Sequence, residues 1–91
     1  MKIKVYGVFK VGYSLSEYTQ LVHEPALEYF SSLEDALKFA EEVRPQTEKE
    51  DELGKVKVEV FEIEAVEEIL PTVGPILRFE DGGYIRKADL R

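Results

Sequence analysis

The sequence predicts an α+β fold: a small, mostly antiparallel sheet of four to five strands with one main helix packed on one face, in the order β-(β)-α-β-β-β. Three observations predict it. Lys2–Val11 and Lys55–Ile69 both alternate apolar and charged residues with the period of two that is typical of strands. Ser31–Val43 carries apolar residues at helical spacing, and Asp81–Gly82 separates two strand-like runs as in a β-hairpin. The length of 91 residues fits one domain, residues 1–91.

The first strand is expected over Lys2–Val11, followed by a turn at Gly12–Ser16. Gly7 stands where an apolar side chain would complete the pattern, which predicts a bulge or the close approach of another backbone. Residues Glu17–Glu24 fit a helix or a strand antiparallel to the first, and their aromatic and β-branched content favours the strand. Pro25 ends this element in either case, because it lacks a backbone N–H.

The helix is expected to begin at Ser31 or Ser32, since serine is a good N-cap and a poor mid-helix residue. The alternative is a start at Pro25, because apolar spacing extends back that far, but we expect Leu27–Phe30 to be extended. Pro45 predicts the end of the helix at the residue before it. One apolar stripe should face the sheet: Leu33, Ala36, Leu37, Ala40 and Val43.

The long run Lys55–Ile69 changes phase partway along. Its apolar residues stand at even positions up to Val60 and at odd positions from Phe61, which predicts a bulge or a new packing partner. Because one helix covers only one face of a sheet, we expect a second copy of the protein to bury the remaining apolar surface. The predicted homodimer interface consists of Phe61, Ile63, Ala65, Tyr6 and Val8.

The last third of the chain predicts a turn over Leu70–Pro75 and then a hairpin. A two-residue loop at Asp81–Gly82 and a four-residue loop over Glu80–Gly83 both place Phe79 opposite Tyr84, as a stabilising cross-strand aromatic pair.

The net charge of −7 argues against non-specific binding to nucleic acid or to anionic lipid and is compatible with a protein partner that has a basic surface. Several basic residues near the C-terminus, with Phe79 and Tyr84, mark the one region where we would look for nucleic acid. The long strand also carries a predicted acidic stripe. It is either a solvated strand face or an imitation of DNA phosphates, as in an anti-defence inhibitor, and consists of Glu59, Glu62, Glu64, Glu67 and Glu68.

Catalytic and metal chemistry has few candidates. The chain has no cysteine, which excludes disulfides, thiolate nucleophiles and cysteine-ligated metals, and His23 is its only histidine. The acidic loop that starts at Glu48 lacks EF-hand spacing, because its sixth position is Leu53 instead of glycine. We therefore expect that the protein binds no metal and no cofactor and has no enzymatic activity. The alternative is a ligand-binding or catalytic site between subunits, using His23 with tyrosines and carboxylates.

No apolar run approaches the roughly 20 residues that cross a bilayer, and the N-terminal MKIKVYGV enters a strand pattern directly, unlike a signal peptide. The expected location is the cytoplasm. The absence of Asn and Cys, with abundant Glu and Lys, is typical of thermophilic proteins. The sequence thus predicts a small acidic, non-enzymatic protein-interaction module that acts as a homodimer.

Overall fold

The computed structural model describes residues 1–14, 20–23, 26–52 and 54–91. Within these ranges every strand pair is antiparallel, and the sheet order is β2-β1-β5-β6-β7, with β3 beside β1 and β4 beside β5. The elements are β1 (Lys2–Ser14), β2 (Gln20–His23), β3 (Glu28–Phe30), α1 (Leu33–Thr47), β4 (Lys49–Glu50), β5 (Gly54–Leu70), β6 (Gly74–Phe79), β7 (Tyr84–Arg86) and a 3-10 turn (Lys87–Asp89). The α+β class and the mostly antiparallel sheet with one main helix are confirmed. The short strands β3 and β4 are additional to the predicted order.

β1 and β5 form one ladder without a bulge. It pairs all 13 residues of β1, from Lys2 opposite Val66 to Ser14 opposite Gly54. Since side chains alternate with period two, even-numbered residues of both strands share one face of the sheet, here the even face, and odd-numbered residues share the odd face. Of the two alternatives, the bulge is therefore absent, and the apolar side of β5 changes face at Val60–Phe61.

The helix covers the first half of β5 on the even face. Val8 and Val58 are fully or almost fully buried there against Ala36 and Ala40 of α1, with Phe30 of β3 in the same cluster. Partly buried side chains surround it: Tyr6, Phe39, Val43 and Val60.

The second half of β5 is covered on the odd face by the chain's own C-terminal part. Val5, Ala65 and Leu77 form a buried cluster, against which Tyr29, Phe79, Ile85 and Leu90 pack among others. The sheet curls around this cluster and closes through backbone hydrogen bonds of Arg91. Its N–H donates to the Tyr29 carbonyl at 2.9 Å, and its carbonyl accepts from the Ser31 N–H at 2.7 Å.

The reason for expecting a homodimer was therefore wrong, because the chain's own C-terminal part, and not a second copy, covers this half of β5. Ala65 is buried in the odd-face cluster and Val8 in the even-face cluster, so neither offers surface to a partner. Tyr6, Phe61 and Ile63 keep partial exposure. Homodimerisation itself stays a prediction.

The helix begins as predicted and ends later. The Ser32 hydroxyl caps it by accepting from the Asp35 N–H at 3.4 Å, and the extended strand β3 precedes it. The predicted end before Pro45 was wrong, because α1 continues to Thr47. A proline in the last turn costs the helix only one hydrogen bond. The helical hydrogen bonding continues beyond Pro45, since the backbone N–H of Glu48 donates to the Arg44 carbonyl at 2.9 Å.

The predicted apolar stripe of α1 was wrong for its two leucines. Leu33 and Leu37 are each 47% exposed, whereas Ala36 and Ala40 are buried. The small alanine side chains let the helix approach the sheet closely, and both leucines lie together to one side of this contact.

Two predictions about the first part of the chain have mixed outcomes. β1 continues through Gly12 to Ser14, where a turn was predicted. Gln20–His23 forms part of the predicted strand antiparallel to β1. The rest of that prediction, residues 17–19 and 24, lies outside the described residues, as do residues 15 and 16 of the predicted turn and Pro25.

The predicted pairing of Phe79 with Tyr84 was wrong by one residue, because Tyr84 lies opposite Arg78. The cause is a three-residue loop closed by hydrogen bonds from the Phe79 N–H to the Gly83 carbonyl and from the Gly82 N–H to the Phe79 carbonyl. Gly82 has φ +93°, as the last residue of such loops requires. Phe79 therefore stacks on Tyr29 instead, with ring centroids 5.3 Å apart.

Gly7 is required by aromatic rings and not by a bulge or a backbone contact. A Cβ at this position would lie 2.5 Å from Cε1 of Phe9 and 3.2 Å from Cε1 of Tyr29. The Phe9 ring cannot move without disturbing its edge-to-face contacts with Tyr29 and Phe61, at centroid distances of 6.2 and 5.4 Å.

We predict that Gly7→Ala lowers the free energy of unfolding by about 1–3 kcal/mol, because it overpacks this contact. Gly12→Ala is the matched control, since a Cβ there meets nothing within 4 Å. It should raise the free energy of unfolding by at most about 1 kcal/mol. Urea unfolding of both variants measures the difference, and equal effects would contradict the proposed contact.

Candidate functional site

The edge of β5 that faces away from β1 is open along part of its length. β4 pairs with this edge at Lys55 and Val56, and β6 pairs with it from Ala65 to Leu70. Between them, over residues 57–64, no strand of the described part of the chain pairs with it.

The contacts of Val58 show which backbone groups point outward. Its N–H donates to the Glu48 carboxylate at 2.9 Å, and its carbonyl accepts from the Arg44 guanidinium at 3.3 Å. In an antiparallel strand the N–H and C=O of one residue point to the same edge, and alternate residues point the same way. Val60, Glu62 and Glu64 therefore direct their backbone groups to the open edge.

Apolar side chains adjoin these backbone groups. A shallow groove of about 440 Å³ includes Leu37, Val60 and Phe61 in its lining. Leu33 lies one helical turn before Leu37 and is equally exposed. We define the β5 edge surface as Leu37, Val60, Phe61 and the outward backbone groups of residues 60, 62 and 64.

The predicted interface residues are not gathered at this surface. Phe61 alone among the five lines the groove. Tyr6 packs on the helix-covered cluster of the even face, and Ile63 lies on the odd face beside Ala65. Leu37 was missed as a surface residue, because its helical spacing placed it in the core.

The predicted acidic stripe is not a single stripe. Glu62, Glu64 and Glu68 lie on the even face, whereas Glu59 and Glu67 lie on the odd face. This correction follows from the period of two in an unbroken strand.

All five glutamates have a partner within the chain. On the even face Glu62 pairs with Lys4 at 3.3 Å, Glu64 with Lys2 at 3.7 Å and Glu68 with Arg78 at 2.9 Å. On the odd face Glu67 pairs with Lys87 at 3.1 Å, and Glu59 accepts a hydrogen bond from the Tyr13 hydroxyl at 2.6 Å. Their negative charge is therefore partly neutralised locally.

The basic residues near the C-terminus are paired as well. Besides Arg78 and Lys87, Arg86 pairs with Asp89 at 3.0 Å and Arg91 with Glu28 at 3.4 Å. The predicted region for nucleic acid thus consists of cations that already have carboxylate partners.

The backbone of His23 lies in β2 opposite Val11. The structure does not describe the position of its side chain, so the predicted catalytic alternative falls outside the described residues. Within the described ranges, no three histidine or acidic side chains come together as a set of metal ligands.

Comparison with known protein families, characterised proteins and solved structures finds no significant match to this chain. Among the described residues, no helix has the length and hydrophobicity that crossing a membrane requires. The β5 edge surface is therefore the candidate functional site.

Tyr13 and Glu59 form the polar end of this region, since both line the same groove as Leu37. The hydrogen bond to the Glu59 carboxylate raises the pKa of Tyr13 above its usual value, because it favours the protonated hydroxyl. The ammonium group of Lys55 lies 5.8 Å from the centroid of the Tyr13 ring.

We predict that Glu59→Gln lowers the Tyr13 pKa toward about 10, its ordinary value. A pKa raised by folding contributes stability below the ordinary value and loses it as pH rises through the folded value. The wild-type protein should therefore lose this contribution above about pH 10. NMR titration of the Tyr13 ring measures the shift, and Glu62→Gln, on the opposite face, is the control. An unchanged Tyr13 pKa in Glu59→Gln would contradict this account.

Proposed function

We propose that the protein is a small acidic interaction module, without a catalytic role of its own, that works as a homodimer and binds a protein partner. The observation that supports this most is the β5 edge surface, where outward backbone groups lie beside the exposed side chain of Leu37. Proteins commonly cover or blunt strand edges, because an open edge is a template for pairing with another chain. Exposed apolar side chains beside such an edge are typical of interaction sites.

The proposed dimer contact lies on α1. Leu33 and Leu37 are one turn apart and each 47% exposed, so they form one apolar strip on the outer side of the helix. A two-fold axis beside this strip would bring the leucines of two copies together, as an isologous contact requires.

Imitation of DNA has less support. It requires a continuous acidic surface, and the five glutamates of β5 are divided between two faces and paired within the chain. We therefore do not propose that function.

We predict that light scattering at micromolar concentration gives twice the 10.5 kDa mass of one chain. Leu33→Asp should reduce the mass to that of a monomer, because it places a charge in the proposed contact. The variant should remain folded, since an acidic residue in the first helical turn is favourable. Ile69→Asp is the control: Ile69 is 80% exposed near the end of β5 and should tolerate the charge without change of mass. A monomeric wild-type protein would contradict the proposed homodimer.

A further inference from the structure

We propose that the open edge of β5 binds a short extended segment of a partner protein as an added strand, and that it selects a segment in which basic residues alternate with apolar ones. This inference rests on one part of the proposed function, namely that the chain binds a protein partner. It adds the binding site, the conformation of the bound segment and its sequence pattern.

The flanking elements set the length of the segment. At one end Val58 already uses both backbone groups on Glu48 and Arg44, and at the other end β6 occupies the edge from Ala65. Residues 59–64 remain, a length of about 20 Å for six residues of extended chain. The 17-residue β5 of a second copy would run into β4 or β6 of the first. A short flexible segment fits this opening.

Three residues supply the backbone hydrogen bonds. Val60, Glu62 and Glu64 each present one N–H donor and one C=O acceptor along the opening. In strand addition such main-chain bonds provide affinity, and side chains on the two faces provide specificity.

The two faces of β5 select different side chains. On the even face the opening is bordered by Glu62 and Glu64, whose side chains are 53% and 52% exposed. On the odd face it is bordered by Phe61 and Ile63, which are partly buried. An added strand alternates its side chains in the same way. Its basic residues would therefore approach Glu62 and Glu64 from the side away from Lys4 and Lys2, which already pair with them from β1. Its apolar residues would pack on the odd face.

β1 already pairs with the other edge of β5 in this manner. Lys2 and Lys4 form ion pairs with Glu64 and Glu62, and Val5 lies opposite Ile63 on the odd face. The first residues of β1, Lys-Ile-Lys-Val, thus give the pattern that β5 accommodates.

Charge around the opening favours the same partner. A depression at the end of the opening next to β6 is lined by three carboxylates, of Glu64, Glu68 and Glu80, against two cations, of Lys2 and Arg78. With a net charge of −7, the whole chain attracts a basic segment and repels an acidic one.

The test is an NMR titration of the ¹⁵N-labelled full chain with the synthetic peptide acetyl-KIKVKV-amide. We expect saturable shifts centred on the backbone amides of Val60, Glu62 and Glu64. The peptide acetyl-EIEVEV-amide should bind at least about tenfold more weakly, which corresponds to 1.4 kcal/mol. A KIKVKV peptide N-methylated at its three lysines should lose binding. In an antiparallel added strand the lysines lie opposite even-numbered residues of β5, so their N–H groups are the ones that donate to β5.

Two protein variants complete the test. Glu62→Pro removes an N–H that points to the opening and leaves the ladder with β1 intact, so it should abolish peptide binding. Glu62→Gln keeps the backbone and removes one charge, so it should weaken binding severalfold. If Glu62→Pro fails to fold, the N-methylated peptide makes the same test on the wild-type chain.

Absence of binding at millimolar KIKVKV peptide, equal binding of the acidic or the N-methylated peptide, or shifts centred elsewhere would each overturn the inference. These results are distinguishable from failure of the homodimer. Light scattering on the same samples reports the dimer, and the Leu33→Asp variant should still bind the peptide.

Discussion

The unbroken ladder between β1 and β5 is the constraint on which the rest of the structure depends. Because no bulge interrupts this ladder, each residue of β5 keeps the face that its number gives it. The apolar side chains before and after Val60–Phe61 therefore lie on opposite faces of the sheet, and each face needs its own cover. The fold meets this requirement with two covers. α1 packs on the even face at Val58, and the curled C-terminal strands pack on the odd face at Ala65.

The candidate site is a consequence of this division. At one end of the edge Glu48 and Arg44 bind the backbone of Val58, and at the other β6 pairs with Ala65. Between these points no strand in the described part of the chain pairs with β5. The opening is therefore located where the apolar side of the strand changes, with carboxylates on one face and aromatic and aliphatic side chains on the other.

The sequence predicts what depends on neighbouring residues. The α+β class, the serine cap of the helix and the extended backbone before it follow from local spacing and capping chemistry, and all are present. Long-range pairing is not encoded locally, so the closure of the sheet by Arg91 on Tyr29 could not be foreseen.

Other errors have separate physical causes. Helical periodicity does not show whether Leu37 or the alanines at positions 36 and 40 contact the sheet. Two small residues four positions apart are nevertheless a sign that a helix packs closely on its neighbour. The division of the acidic stripe, by contrast, was available from the odd and even numbering of its glutamates. A measurement of Hα–Hα contacts between β1 and β5 by NOE spectroscopy tests the central claim most directly. The account predicts strong contacts for Tyr6–Glu62 and for Lys10–Val58, the facing pairs on either side of the change of phase. A shift of one residue in either contact would reveal a bulge and contradict it.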